Sequence, residues 1–89
     1  PDITRKALIT GGSGGIGSAI AERLAADGMQ VWIHYRSNSQ CAEQVAERII
    51  AAGGEANTVG FDVTDERQSE QALTALLEQL GAFDVLVHN

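Results

Sequence analysis

The sequence predicts an α/β fold in which helices cover both faces of a parallel β-sheet. Short and almost wholly apolar runs, typical of buried strands, alternate with stretches in which apolar residues recur every three or four positions. Short turns rich in glycine or aspartate separate these segments, and the first strand leads straight into a glycine-rich loop. With 89 residues, the chain is at most one small domain.

The first third of the chain predicts two strands and the helix between them. Lys6–Thr10 is a short apolar strand. Four apolar positions then recur with helical spacing: Ile16, Ala19, Ile20 and Leu24. Asp27 and Gly28 end this helix, because glycine adopts without strain the left-handed conformation that follows a helix. Val31–Tyr35 is rich in β-branched and aromatic residues and predicts the second strand.

The second helix is predicted by an apolar stripe of five residues: Ala42, Val45, Ala46, Ile49 and Ile50. Its N-cap is either Ser37, in a capping box with Gln40, or Ser39. A glycine pair ends the helix. Ala56–Phe61 then predicts the third strand, which Gly60 interrupts.

The rest of the chain predicts a third helix and a fourth strand. Asp62–Asp65 turns the chain into a helix with four leucines on one face: Leu73, Leu76, Leu77 and Leu80. Gly81 ends it, and Asp84–His88 is the fourth strand. The order β-α-β-α-β-α-β with right-handed crossovers is the first half of a doubly wound, Rossmann-type parallel sheet, with strand order 3-2-1-4. The first and fourth strands are then neighbours, and a ligand lies across their carboxyl ends.

The loop after the first strand predicts a site for a phosphate-bearing ligand. Glycines let a ligand lie against bare main chain, and the helix that follows offers unpaired N–H groups and a positive dipole end to an anion. Two spacings fit a dinucleotide: Gly12-x-Gly14-x-x-Gly17, and a second of the form TGxxxGxG that begins at Thr10. An ordinary glycine-rich turn is the alternative. A P-loop fits less well, because no Lys-Ser/Thr pair closes the loop.

The residues after the second strand indicate which dinucleotide is bound. An NAD site has an acidic residue here, which bonds the ribose 2′-hydroxyl. This chain instead has Arg36, Ser37 and Asn38, with no acid nearby. Because arginine can fork onto a phosphate while serine and asparagine add neutral donors, the sequence predicts NADP(H). The alternative is an ordinary solvated arginine in a loop.

Composition excludes several classes of protein. The net charge of −6 argues against binding to nucleic acid or to an anionic membrane surface. A single cysteine, Cys41, excludes an intramolecular disulfide and an all-cysteine metal site. His34 and His88 have no partners at metal-ligand spacing, so we interpret both as structural and expect no metal. No apolar run is long enough for a transmembrane helix or signal peptide, and we expect a cytoplasmic protein.

Five segments, in order, resemble the short-chain dehydrogenase/reductase family: TGGSGGIG, YRSN, AAGGEA, DVTD and DVLVHN. The resemblance spans nearly the whole chain and is greatest to 3-oxoacyl-acyl-carrier-protein reductases. It implies an oxidoreductase that uses NADP(H) to reduce a carbonyl on a small molecule or a carrier protein, in fatty acid biosynthesis. It also implies that the parent enzyme is a homo-oligomer.

The resemblance also implies which residues bind the cofactor. Asp62 and Val63 stand where the family contacts the adenine ring, although Asp62 alternatively only starts the turn or caps the third helix. Asn89 lies near the cofactor ribose, and His88 replaces an asparagine of the family. The implied cofactor-binding residues are Thr10, Gly11, Ser13, Gly14, Gly15, Ile16, Gly17, Arg36, Ser37, Asn38, Asp62, Val63 and Asn89.

The family's catalytic serine and its Tyr-x-x-x-Lys pair are absent from these residues. The one tyrosine, Tyr35, has Ser39 four positions later. We therefore expect residues 1–89 to be a single N-terminal dinucleotide-binding portion without catalytic residues, and the catalytic half to lie outside it. The alternatives are a non-catalytic module that senses NADP(H) and a complementation fragment that pairs with a separate second half.

Overall fold

A computed structural model describes residues 5–11, 14–81 and 83–88, with His88 described by its backbone alone. Strands and helices alternate as the sequence predicts. The elements are β1 (Lys6–Thr10), α1 (Gly15–Ala26), β2 (Gln30–Tyr35), α2 (Ser39–Ala51), β3 (Glu55–Gly60), α3 (Glu66–Leu80) and β4 (Val85–His88).

The four strands form one parallel sheet in the order β3-β2-β1-β4, which confirms the predicted order. Leu8 of β1 lies opposite Trp32 of β2 on one side and opposite Leu86 of β4 on the other. The strands therefore end along one edge of the sheet, where the loops that follow β1, β2 and β3 come together.

One face of the sheet carries the apolar core. Alternate residues of the two central strands pack against small and branched residues of α1 and α2: Ala7, Ile9, Val31, Ile33, Ala21, Ala25, Ala42, Val45, Ala46 and Ile49. Alanines let both helices lie close to the sheet. Ile50, the last residue of the predicted apolar stripe, is 56% exposed and lies outside this core. Ile49 packs in the core, and the side chain of Ile50 points about 100° away from it around the axis of α2.

The opposite face is covered less completely. Leu8 and Trp32 are buried there, and Trp32 meets the edge of Phe83 with ring centroids 5.6 Å apart. No described residue of α3 is buried, and Leu77 is exposed. The predicted leucine face is therefore correct only for the half-buried Leu73, Leu76 and Leu80.

Two local predictions about helix and strand ends are wrong. The N-cap of α2 is Asn38, whose Oδ1 accepts the N–H of Cys41 at 3.4 Å, because Ser39 is already the first helical residue. Gly60 does not interrupt β3 but ends it, and Phe61 lies beyond the strand. A Cβ at Gly60 would come within 2.6 Å of the Tyr35 ring, so the glycine makes room for this tyrosine.

Candidate functional site

The described part of the glycine loop forms a tight turn between β1 and α1. Gly11 has φ of 65°, a left-handed conformation that suits glycine. Its carbonyl accepts the N–H of Gly14 at 3.2 Å. Gly14 is the N-cap of α1 in an extended conformation and, as a glycine, makes no side-chain cap bond. Among the described residues, the N–H groups and positive dipole end of α1 thus have no capping side chain at the N-cap and no acidic residue in the first turn.

Open space surrounds the start of α1. A Cβ built on Gly15 would meet no atom within 4 Å, and one on Gly14 would meet only the Gly11 carbonyl oxygen, at 3.6 Å. Ile16 is 72% exposed, whereas Gly17 is buried. The described protein atoms therefore leave room for a side chain at Gly15. Gly12 and Ser13, which belong to the predicted loop site, lie outside the described residues.

Thr10 joins the carboxyl ends of β1 and β4. Its hydroxyl donates a hydrogen bond to the carbonyl of Val87 at 3.2 Å, which fixes β1 against β4. Thr10 was expected to bind the cofactor, and the structure gives it this structural contact. Asn89, expected next to it, lies outside the described residues.

Arg36 and Asp62 meet although they are 26 positions apart. Arg36 directly follows β2, and its guanidinium lies 3.4 Å from Oδ2 of Asp62. The arginine side chain is 66% exposed, so it remains accessible to a ligand. Ser37 is exposed beside it, whereas the side-chain oxygen of Asn38 caps α2.

Asp62 closes the turn after β3 and does not cap α3. Its Oδ1 accepts the hydroxyl of Thr64 at 2.7 Å and the N–H of Thr64 at 2.9 Å. These bonds hold the pKa of the Asp62 carboxyl below its ordinary value of 3.8, and the charge of Arg36 lowers that pKa further. Asp65 is the N-cap of α3 instead. Val63, next to Asp62, is exposed, so this turn presents a carboxylate and an apolar side chain to solvent.

His34 joins the site although sequence reasoning treated it only as a structural residue. It is 3% exposed, near the end of β2. The N–H of Gly11 donates to its Nδ1 at 3.1 Å, and its Nε2 lies 2.7 Å from the carbonyl oxygen of Phe61. A signal was present in the sequence: a lone polar residue inside an apolar strand needs buried hydrogen-bond partners.

The three loops that follow β1, β2 and β3 therefore present complementary groups at one edge of the sheet. An uncapped helix start suits an anion, Arg36 suits a second anion, and the carboxylate of Asp62 suits a hydrogen-bond donor. This arrangement fits an elongated ligand with two separate phosphates. Within the described ranges, no group of three His, Cys, Asp or Glu residues could hold a metal ion, and no helix is long and apolar enough to cross a membrane.

Sequence comparisons agree with this architecture. The family model described as short chain dehydrogenase matches residues 5–89. An uncharacterized oxidoreductase of Methylorubrum extorquens is 46% identical over 83 residues, which are 93% of this chain and 34% of the relative. A 3-oxoacyl-[acyl-carrier-protein] reductase of Synechocystis is 43% identical, with the same shares covered. Glucose 1-dehydrogenase 2 of Bacillus subtilis is 42% identical over 89 residues, with 99% and 34% covered. The chain thus spans 34% of the length of each relative.

Solved structures are similar over the same region. A metagenomic short-chain oxidoreductase crystallised with NADP matches 92% of this chain and 37% of its own, with 35% identity and a TM-score of 0.88. A variant of actinorhodin polyketide ketoreductase crystallised with NADPH matches 97% and 33%, with 34% identity and a TM-score of 0.87.

Proposed function

The chain belongs to the short-chain dehydrogenase family, and from this membership we propose that it is the NADP(H)-binding portion of a carbonyl reductase. The observation that carries the proposal is the pairing of an uncapped helix start after a glycine turn with an exposed arginine at the end of β2. The first suits a pyrophosphate and the second suits a ribose 2′-phosphate.

Each part of the proposed site has its own role. Main-chain groups of the glycine loop and of the first turn of α1 hold the pyrophosphate. Arg36 and Ser37 contact the 2′-phosphate, and Asp62 with Val63 borders the adenine ring. Thr10 and Asn38 support this site from behind, through their contacts with β4 and α2. The proposed cofactor-binding residues also include Ser13 and Asn89.

When held by these residues, NADPH would supply the hydride that reduces the carbonyl carbon of the substrate. The chain spans 34% of the length of its relatives, and the family resemblance implies that the proton donor and the groups that orient the substrate belong to the part of such enzymes that these residues do not match. The proposed substrate is a 3-oxoacyl thioester on a carrier protein, in cytoplasmic fatty acid biosynthesis by a homo-oligomer. The similarity to the 3-oxoacyl-[acyl-carrier-protein] reductase of Synechocystis supports this substrate. The similarity to glucose 1-dehydrogenase 2 of Bacillus subtilis supports a sugar as the competing substrate class.

Cofactor titration of the complete natural chain tests the proposal. Quenching of protein fluorescence should give tighter binding for NADPH than for NADH, and acetoacetyl thioesters should be reduced faster than glucose is oxidised. Equal affinity for the two cofactors would overturn the cofactor assignment. Binding of NADPH without reduction of any carbonyl would instead favour a sensing module or a complementation fragment.

A further inference from the structure

The partners of His34 determine its protonation state. The Phe61 carbonyl oxygen can only accept a hydrogen bond, so Nε2 must carry the proton. The Gly11 N–H can only donate, so Nδ1 must present its lone pair. Both bonds are satisfied together only by the neutral tautomer with hydrogen on Nε2.

The bond at Nδ1 acts on the glycine turn. Gly11 is held at its amide by the imidazole, while its carbonyl accepts the N–H of Gly14, the N-cap of α1. The imidazole therefore fixes the left-handed turn at Gly11 and, through one further bond, the residue from which α1 begins. Glycine has little conformational preference of its own, so a hydrogen bond from a neighbouring strand restricts a glycine turn more than it would restrict other turns.

The bond at Nε2 acts on the opposite side of the site. The Phe61 carbonyl directly precedes Asp62, and the Phe61 ring lies against the imidazole with centroids 4.3 Å apart. The N–H of Phe61 also donates to the carbonyl of Tyr35 at 3.1 Å. One buried ring thus links the loop after β1 to the loop after β3.

We propose that His34 is a positioning residue that holds the glycine loop and the Asp62 turn at the separation the dinucleotide requires. It touches neither phosphate nor adenine and acts through Gly11 and Phe61. This inference rests on the proposed binding of NADP(H), because the ligand spans the two loops that His34 joins. Without His34 each loop would keep its local hydrogen bonds and its place at the end of its strand, but would lose the buried side chain that bonds to both.

Three variants of the complete chain separate the two bonds. His34→Asn places an amide oxygen near the position of Nδ1 and keeps the acceptor for Gly11, whereas His34→Gln places an amide N–H near Nε2 and keeps the donor to Phe61. His34→Leu removes both. We expect NADPH affinity to fall about tenfold in both His34→Asn and His34→Gln, because each breaks one end of the link, and at least as much in His34→Leu.

Two readouts keep the test independent of cofactor binding and of folding. Nitrogen-15 NMR of the neutral imidazole, without cofactor, should show the proton on Nε2 and none on Nδ1. Thermal melting identifies any variant that has unfolded. The inference is overturned if the free protein shows the opposite tautomer, or if folded His34→Asn and folded His34→Gln keep the NADPH affinity of wild type. If wild type has the expected tautomer but binds no NADPH, the proposed function fails and the positioning role fails with it.

Discussion

At the scale of single residues, Arg36 and Asp62 lie side by side in the proposed cofactor site without any ligand. Their ion pair is exposed, and exposed pairs contribute little because water screens them. The pair nevertheless orients the guanidinium towards Asp62, the residue that we propose borders the adenine ring. A phosphate carries more charge than a carboxylate, so it can take over the arginine without a large penalty.

Arg36→Ala should weaken binding of NADPH about ten- to a hundredfold and leave NADH almost unchanged. The reason is that only the charge-assisted contact with the 2′-phosphate is lost, which contributes roughly 1.5–3 kcal/mol. Isothermal titration with both cofactors measures this. Arg48→Ala is the matched control, because Arg48 is an exposed arginine paired with Glu22 on the helices α1 and α2. Equal losses for NADPH and NADH in Arg36→Ala would make Arg36 a structural residue.

Thr64→Val should raise the pKa of Asp62 towards 3.8, because the hydroxyl of Thr64 is the main cause of the lowered value. Thr64→Ser retains a hydroxyl and should leave the pKa low. Carboxyl-carbon NMR titration measures both. Since the folded-state pKa lies below the unfolded one, the contribution of Asp62 to stability is complete above pH 3.8 and is lost as pH falls through the folded value. An unchanged pKa in Thr64→Val would contradict the role assigned to this hydroxyl.

At the scale of elements, glycines serve two distinct purposes, and matched substitutions distinguish them. Gly15→Val puts a side chain into space that no described atom fills, so it should abolish NADPH binding with little change in melting temperature. Gly54→Val should instead lower the melting temperature and leave NADPH binding largely unchanged. Its Cβ alone would lie 2.8 Å from Cγ2 of Ile49 in α2. Overpacking of this kind costs about 1–3 kcal/mol. Titration and thermal melting of both variants give the answer. Retained binding in Gly15→Val would mean that the ligand lies elsewhere.

Most of the elements could be predicted because periodicity alone determines them. The apolar runs of β1 and β2, and the turn at Gly28 with φ of 94°, lie where the sequence predicts them. Helix caps could not be predicted in the same way. Any of three consecutive residues could serve as the N-cap: Ser37, Asn38 and Ser39. The structure uses Asn38, because the end of β2 in the sheet determines where α2 begins.

The candidate site was predictable where residues are close in sequence and not where contacts are long-range. The glycine loop and Arg36 are recognisable from spacing. The contact between Arg36 and Asp62 depends on the pairing of β2 with β3. The bonds of His34 likewise require β1, β2 and β3 to end together, so no local pattern could assign them.

At the scale of the whole molecule, β4 lies at one edge of the described sheet, and Leu86 on this strand is 66% exposed. Unpaired strand edges with apolar side chains promote association. We therefore expect the 89-residue polypeptide alone to be inactive as a reductase, to bind NADPH weakly at best, and to be oligomeric, aggregated or partly folded. Sedimentation velocity and thermal melting measure this, and Leu86→Lys should increase the monomer fraction. A soluble wild-type monomer with a sharp cooperative melt would support the stand-alone module.

The position of β1 between β2 and β4 also has a consequence for the time course of folding. The N–H of Lys6 donates to the side chain of Asp84, 78 positions away, whereas Gly11 and His34 are only 23 apart. Loop closure costs grow slowly with length, so this separation changes equilibrium stability little, but it delays the pairing of β4. During synthesis β1 therefore keeps one open edge until the chain is made as far as β4. In that interval the open edge of β1 and its apolar side chains are exposed to association, and a chaperone would protect the chain most.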